Sequence, residues 1–239
     1  MFSERLGFIV KYFGISRGSL AANMSVLEPA PFPLAYPPVL DFGQQLSREQ
    51  LLESVRKTMA LHQGGPVWLF AYGSLIWRPE CQSAERRRGR VHGYHRGLYL
   101  WSHEHRGTPE CPGLVFGLDR GGSCSGFAYR LPEESLQDSL LALWQREMPY
   151  PAYRPHWLSC RLDDGSKVQA LGFVLERHLP CYAGNLPDSL LSHIFASAKG
   201  RYGTTREYVE QTLAALRSHA MPDRGLEERY KRCHSQGQA

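Results

Sequence analysis

Apolar positions gather in short runs separated by glycine, proline and charge, and the densest run is Val67-Trp68-Leu69-Phe70-Ala71. It passes through Tyr72-Gly73-Ser74 into a second apolar trio, Leu75-Ile76-Trp77. A run this short and continuous fits a strand buried on both faces, although periodicity alone also admits a buried helix. Gly73 permits a backbone geometry that a Cβ resists, and Ser74 sets a small hydroxyl beside it. A strand ending in such a turn offers backbone N–H groups to a small polar ligand. A core strand closed by a tight turn explains the same residues without one.

Helical spacing appears on both sides. Upstream, Ser47-Arg48-Glu49-Gln50 has capping-box form, and Leu51, Leu52, Val55 and Met59 supply an apolar stripe to about His62. Gly64-Gly65-Pro66 ends it. Downstream, Pro132-Glu133-Glu134 offers a proline and two acids suited to a first helical turn, and Leu136, Leu140, Leu143 and Trp144 form the stripe. Glu147 lies eleven residues beyond Leu136, almost three turns, so it falls on the same inward face. Pro149, Pro151 and Pro155 stop the helix just after it. Burial and the negative end of the helix dipole both disfavour the ionised carboxylate, so a raised pKa is expected. Such a group is either functional or tied to an arginine such as Arg146 or Arg154.

The remaining pattern predicts strands over 90–101, 114–118 and 125–131, then a hairpin of 153–162 with 167–177 around Asp163-Asp164-Gly165-Ser166. Three helices follow, one from Pro187-Asp188, one from a second capping box at Thr204-Thr205-Arg206-Glu207, and one over 223–233.

At 239 residues with 42% hydrophobic and 21% charged positions, the chain reads as one sizeable globular domain with an extension. The net charge of +5 suits anionic small substrates and is too weak to imply nucleic acid. Arg86, Arg87, Arg88 and Arg90 are read as a solvated face or charge-protected strand edge rather than a phosphate patch. No apolar run approaches the roughly 18 residues of a membrane span. Lys11 breaks the run Leu6–Val10 before signal-peptide length, so no targeting segment is expected, and Met24 offers an alternative start. Six scattered cysteines with no C-x-x-C pair point to reduced thiols and a cytoplasmic location. His92, His95, His103 and His105 lack a carboxylate or thiol partner at ligand spacing, although His103 and His105 would share a strand face, so no metal site is expected.

The organisation expected is an extension over 1–65 with a Pro-rich arm (Pro29, Pro31, Pro33, Pro37, Pro38) and one helix, a catalytic domain over 66–234, and a frayed tail over 235–239. Ser74 fails as the nucleophile of a hydrolase elbow, because Tyr72 and Ile76 occupy the glycine positions of G-x-S-x-G. Glu110, in a Pro/Gly-rich loop, is a second candidate acid.

Five segments stand in order: Phe70–Trp77, Arg106–Gly113, Gly121–Leu131, Arg146-Glu147-Met148 and Arg201–Tyr208. Together they cover roughly residues 66–233, and they resemble the ChaC-like γ-glutamylcyclotransferases. The resemblance implies an α+β fold, a mixed, barrel-like sheet flanked by helices. It implies cleavage of glutathione to 5-oxo-L-proline and L-cysteinylglycine without cofactor. Leu69, Phe70, Ala71, Tyr72, Gly73 and Ser74, with Leu75, would hold the γ-glutamyl group, and Glu147 would be the catalytic acid/base. Glutathione is then the expected partner, with no nucleic acid or membrane, and a monomer is expected because no exposed apolar helix is left unassigned. The alternatives are a cyclotransferase for other γ-glutamyl peptides or amines, and a non-catalytic sensor of γ-glutamyl compounds. Ala71 stands where many relatives have glycine, and the segment before Pro66 lies outside the resemblance.

Overall fold

Strand β1 (Trp68–Ala71) is buried along its whole length, as its continuous apolar run requires. In the computed structural model, which describes residues 35–235, β1 pairs antiparallel with β3 (Gly113–Arg130) and parallel with β5 (Lys167–Leu175). With β2 (Glu85–Ser102) and β4 (Tyr153–Leu162) these strands close a barrel in the order β1-β3-β2-β4-β5. The sheet is therefore mixed and barrel-like, as expected. The Leu6–Val10 run, Pro29, Pro31 and Pro33, and residues 236–239 of the expected tail lie outside the described residues. Among the described residues, one compact unit begins at Pro37.

The strands expected at 90–101, 114–118 and 125–131 are longer than their patterns indicate. β2 takes in the arginine segment, and β3 runs unbroken through Asp119–Cys124. Gly121 and Gly122, at φ 102° and 67°, absorb a bend where the ladder slips between His92 and Tyr94. The glycine pair kinks the ladder instead of ending it. Arg87 Nη2 meets Asp163 Oδ1 at 2.7 Å and Arg88 Nε meets Asp163 Oδ2 at 3.5 Å, so the arginines dress a strand edge beside the β4–β5 turn. His103 and His105 lie beyond the end of β2 in a loop, not on a shared strand face.

Helix α1 (Arg48–Met59) carries the expected capping box: Gln50 N–H donates to Ser47 Oγ at 3.3 Å, and Ser47 N–H donates to Gln50 Oε1 at 2.8 Å. Helix α2 (Leu136–Glu147) starts later than expected. Pro132-Glu133-Glu134 forms a turn, closed by Leu136 N–H on the Glu133 carbonyl at 3.4 Å, and Asp138 is the acid in the first helical turn. After the hairpin of β4 and β5 come α3 (Asp188–Ser197), the two-residue strands β6 (Lys199–Gly200) and β7 (Gly203–Thr204), α4 (Thr205–Ser218) and α5 (Arg224–Ser235). No helix among the described residues is long and apolar enough to cross a membrane.

The core forms where Leu69 and Ala71 of β1, Phe127 and Tyr129 of β3 and Leu171 of β5 meet Leu140, Leu143 and Trp144 of α2. Leu51 of α1 joins the same cluster, a burial worth about 1.5–3 kcal/mol for a leucine side chain. Two indoles fasten α1 in place. Trp144 Nε1–H donates to Ser54 Oγ at 2.9 Å, and Trp157 Nε1–H donates to the Thr58 carbonyl at 2.9 Å. The position of α2, and hence of its last residue, Glu147, follows from this packing.

Candidate active site

A cleft of about 630 Å³ opens beside the end of β1. Its walls come from the turn after β1, the loop after β2, the start of β3, the last turn of α2, β4 and α4. Of the expected substrate-holding residues, Phe70, Tyr72, Gly73, Ser74 and Leu75 line it. Leu69 and Ala71 do not; both are fully buried, and alternation along β1 turns them into the core. Glu110 is exposed and lies apart from the cleft lining.

Gly73 is required by space. A Cβ there would stand 2.9 Å from the Tyr208 hydroxyl oxygen, and its φ of −123° is open to any residue. Beyond it the chain makes a single 3₁₀ turn, Ser74–Ile76, with Ile76 N–H on the Gly73 carbonyl at 3.0 Å. Arg96, almost wholly buried, supports the turn from behind: its Nη1 donates to the Tyr72 carbonyl at 2.7 Å and its Nη2 meets Asp223 Oδ2 at 2.7 Å.

Glu147 reaches this turn from the C-terminal end of α2 and lines the cleft, its side chain 19% exposed. Arg146 connects the two elements. Its Nε meets Glu147 Oε1 at 3.1 Å, its Nη2 donates to Ser74 Oγ at 3.1 Å, and its Nη1 meets Glu80 Oε2 at 2.7 Å. The arginine partner anticipated for Glu147 is thus present, yet burial outweighs it. Desolvation lifts the Glu147 carboxyl above the ordinary glutamate range, Arg146 opposes the shift, and Glu80 adds to it. Ser74 has a guanidinium beside its hydroxyl and serves as a hydrogen-bonding group.

Three tyrosines surround the carboxylate. Tyr72 O–H donates to the Phe173 carbonyl at 2.9 Å, and Tyr153 O–H donates to the Phe116 carbonyl at 3.2 Å. Burial, with the charge of Glu147 adding to it, holds both phenols well above their usual pKa. Tyr208, from α4, is pushed up to about 12, chiefly by burial. All three stay protonated at neutral pH.

The opposite wall carries a buried cation. Arg106 is 7% exposed; its Nη1 donates to the Thr204 carbonyl at 3.4 Å and its guanidinium lies over the Tyr208 ring, 5.0 Å from the centroid. The Glu207 carboxylate stands nearby without a direct ion pair, so the guanidinium keeps donors for an anionic ligand. Phe42 and Gln45, from the segment before α1, complete another side of the cleft, with Phe42 packed on His103 at 4.2 Å between ring centroids. Arg106, Arg146, Tyr153 and Tyr208 were not singled out as site residues by the sequence pattern. Arg106, Arg146 and Tyr208 do fall inside segments that carried the resemblance, and Arg146 was anticipated as one partner of Glu147. For Tyr208 a further signal exists, a phenol within the apolar stripe Val209, Leu213 and Leu216 of α4.

A model of the family described as ChaC-like protein matches residues 67–235. The chain belongs to the ChaC-like family. Among curated proteins, this ChaC-like chain is 38% identical over 183 residues to the glutathione-specific γ-glutamylcyclotransferase of Escherichia coli (strain K12), covering 76% of this chain and 79% of that one. It is 32% identical over 163 residues to γ-glutamylcyclotransferase 2-3 of Arabidopsis thaliana, covering 63% of this chain and 81% of that protein. Among solved structures, the γ-glutamyl cyclotransferase specific to glutathione from yeast superposes with a TM-score of 0.65 at 19% identity, over 72% of this chain and 97% of that chain. That likeness bears on the fold, and it agrees with the barrel-like α+β architecture described above.

Proposed function

We propose that this ChaC-like chain is a glutathione-specific γ-glutamylcyclotransferase that cleaves glutathione to 5-oxo-L-proline and L-cysteinylglycine, with Glu147 as general acid and base. The observation that carries the reading is Glu147 itself, a carboxyl of raised pKa in the cleft wall, joined through Arg146 to Ser74 of the Tyr72-Gly73-Ser74 turn. In the reaction the substrate's α-amino nitrogen attacks its own γ-carbonyl carbon. A five-membered lactam closes, and the amide bond to cysteinylglycine breaks.

The α-amine arrives as an ammonium ion, so a base must take a proton before the nitrogen can attack. The departing nitrogen must then receive one. A carboxyl drawn up toward working pH serves both steps in turn. Holding the γ-glutamyl chain folded on itself removes most of the entropic barrier to cyclisation. Arg106 lines the cleft and supplies positive charge for a carboxylate of glutathione, while Arg146 is engaged by Glu80 and Glu147. The glutathione-specific relative supports the choice of substrate.

The test is product analysis of the purified protein with glutathione, oxidised glutathione and γ-glutamyl-alanine. 5-Oxoproline is expected from glutathione in preference to the other two. Glu147→Gln is expected to fold and to lose about 10²–10⁴-fold in kcat, the usual contribution of general acid–base catalysis. It should also be at least as stable as the parent at neutral pH. A carboxyl with a raised folded-state pKa binds its proton more tightly folded than unfolded, so its contribution to stability falls as pH rises above the unfolded value. Full activity in Glu147→Gln sinks the mechanism.

A further inference from the structure

The three tyrosines around Glu147 differ in where their protons go. Tyr72 and Tyr153 have spent theirs on the carbonyls of Phe173 and Phe116. Tyr208 is built the other way round. Its oxygen accepts the Phe116 N–H at 3.4 Å, and the backbone amide of Ser74 also bears on it. Its own proton has no acceptor within hydrogen-bonding distance among the described residues. A phenol holds one donor, and a buried one ordinarily uses it. Tyr208 is 5% exposed and lines the cleft, so the direction left for that proton is toward a ligand.

The turn is shaped around this hydroxyl. Gly73 gives up its Cβ to let the oxygen approach, since a Cβ would stand 2.9 Å from it. The backbone of Ser74 also lies close enough to Tyr208 to oppose the rise in the phenol's pKa. An O–H whose oxygen already accepts amide protons is polarised and becomes a stronger donor. The Phe116 amide of β3 polarises the phenol in this way.

We infer that Tyr208 is a catalytic residue that donates its O–H hydrogen bond to the γ-carbonyl oxygen of the substrate. This rests on the cyclotransferase reading given above. The nitrogen lone pair forms the new C–N bond as the carbonyl π pair moves onto oxygen, and Tyr208 stabilises the oxyanion without transferring its proton. When the oxyanion collapses, the bond to the cysteinyl nitrogen breaks and that nitrogen takes the proton held by Glu147. The ring nitrogen, which still carries two protons, gives one to the carboxylate so freed, and Glu147 passes it on to the departing amine. Arg106 in the cleft wall offers its guanidinium to a carboxylate of glutathione, so that carboxylate does not call on Tyr208. A neutral, pre-oriented donor close to the base suits an oxygen that gains charge only as the reaction proceeds.

The test compares wild type, Tyr208→Phe, and protein carrying 2,3,5-trifluorotyrosine at 208, each given glutathione and followed by 5-oxoproline release across pH. Tyr208→Phe is expected to lose about 10²–10³-fold in kcat with KM within about threefold, as when a single oxyanion donor is removed. The fluorinated residue keeps the hydroxyl and its shape but ionises at lower pH. Its kcat should gain an alkaline limb where the donor proton is lost, and a purely structural hydroxyl gives none. Folded Tyr208→Phe with kcat within about threefold of wild type, or fluorinated protein without the limb, overturns the inference. If Tyr208→Phe does not fold, the fluorinated protein decides alone. A wild type that releases no 5-oxoproline overturns the functional reading and this inference with it. An active wild type with an unimpaired Tyr208→Phe variant overturns the inference alone.

Discussion

Arg146 is shared by three oxygens, those of Glu80, Ser74 and Glu147, and only the last is the proposed base. The sharing keeps the guanidinium from holding Glu147 fully ionised, which leaves burial as the dominant influence on its pKa. Removing the guanidinium takes away the one group that lowers it and frees Glu80 to repel it. Both changes raise the Glu147 pKa further. A general base acts when ionised, so the acid limb of the kcat/KM profile lies at its pKa and should move to higher pH in Arg146→Gln. Activity relative to that variant's own plateau therefore falls more at pH 6 than at pH 8. A pH–rate profile checks this, and a limb that stays put or moves down contradicts the assignment of Glu147 as base.

Helix α4 ends in a Schellman arrangement: Met221 N–H donates to the Leu216 carbonyl at 2.8 Å and Ala220 N–H to that of Arg217 at 3.0 Å. Leu216 and Met221 both pack into the core, which holds the chain in this path. The C′ position is Ala220, at φ 55°, a left-handed conformation that costs a residue with a Cβ about 1–2 kcal/mol. Glycine there removes that strain and loses about 0.4–1 kcal/mol through the unfolded chain. Ala220→Gly should stabilise the protein by about 0.5 kcal/mol, read from denaturant midpoints at unchanged m-value. The two capping boxes at Ser47 and Thr204 were legible because each is a local exchange of hydrogen bonds between residues three apart. The length of β3 was not. Gly121-Gly122 has the local chemistry of a turn, and only pairing with β2 along both sides makes it a bend within one strand.

The same division holds for the site across the whole molecule. Gly73, Ser74 and Glu147 could be found because each ends an element with a strong apolar pattern, and the pattern fixes which way the end points. Arg106, Tyr153 and Tyr208 come from a loop, a strand and a later helix that meet only when the barrel closes, through the parallel pairing of β1 with β5. No local period encodes that closure. Nor does it reveal that residues ahead of Pro66 shape the site, although α1 supplies Leu51 to the core and Phe42 and Gln45 line the cleft. We propose that the folding unit begins ahead of α1. A chain begun at Pro66 would uncover the α2 face that Leu51 covers and leave the indole N–H groups of Trp144 and Trp157 without Ser54 and Thr58. The exposed apolar face forfeits its burial, about 25 cal/mol per Å², and Leu51→Ala alone should cost about 2–5 kcal/mol. The shortened chain should therefore unfold at markedly lower temperature and, with one cleft wall gone, show a higher KM for glutathione. Thermal unfolding and steady-state kinetics of the shortened chain beside Leu51→Ala and Phe42→Ala separate the two losses. Leu51→Ala should reproduce the loss of stability and Phe42→Ala the change in KM. A shortened chain matching the parent in both would make α1 an appendage and place the boundary at Pro66.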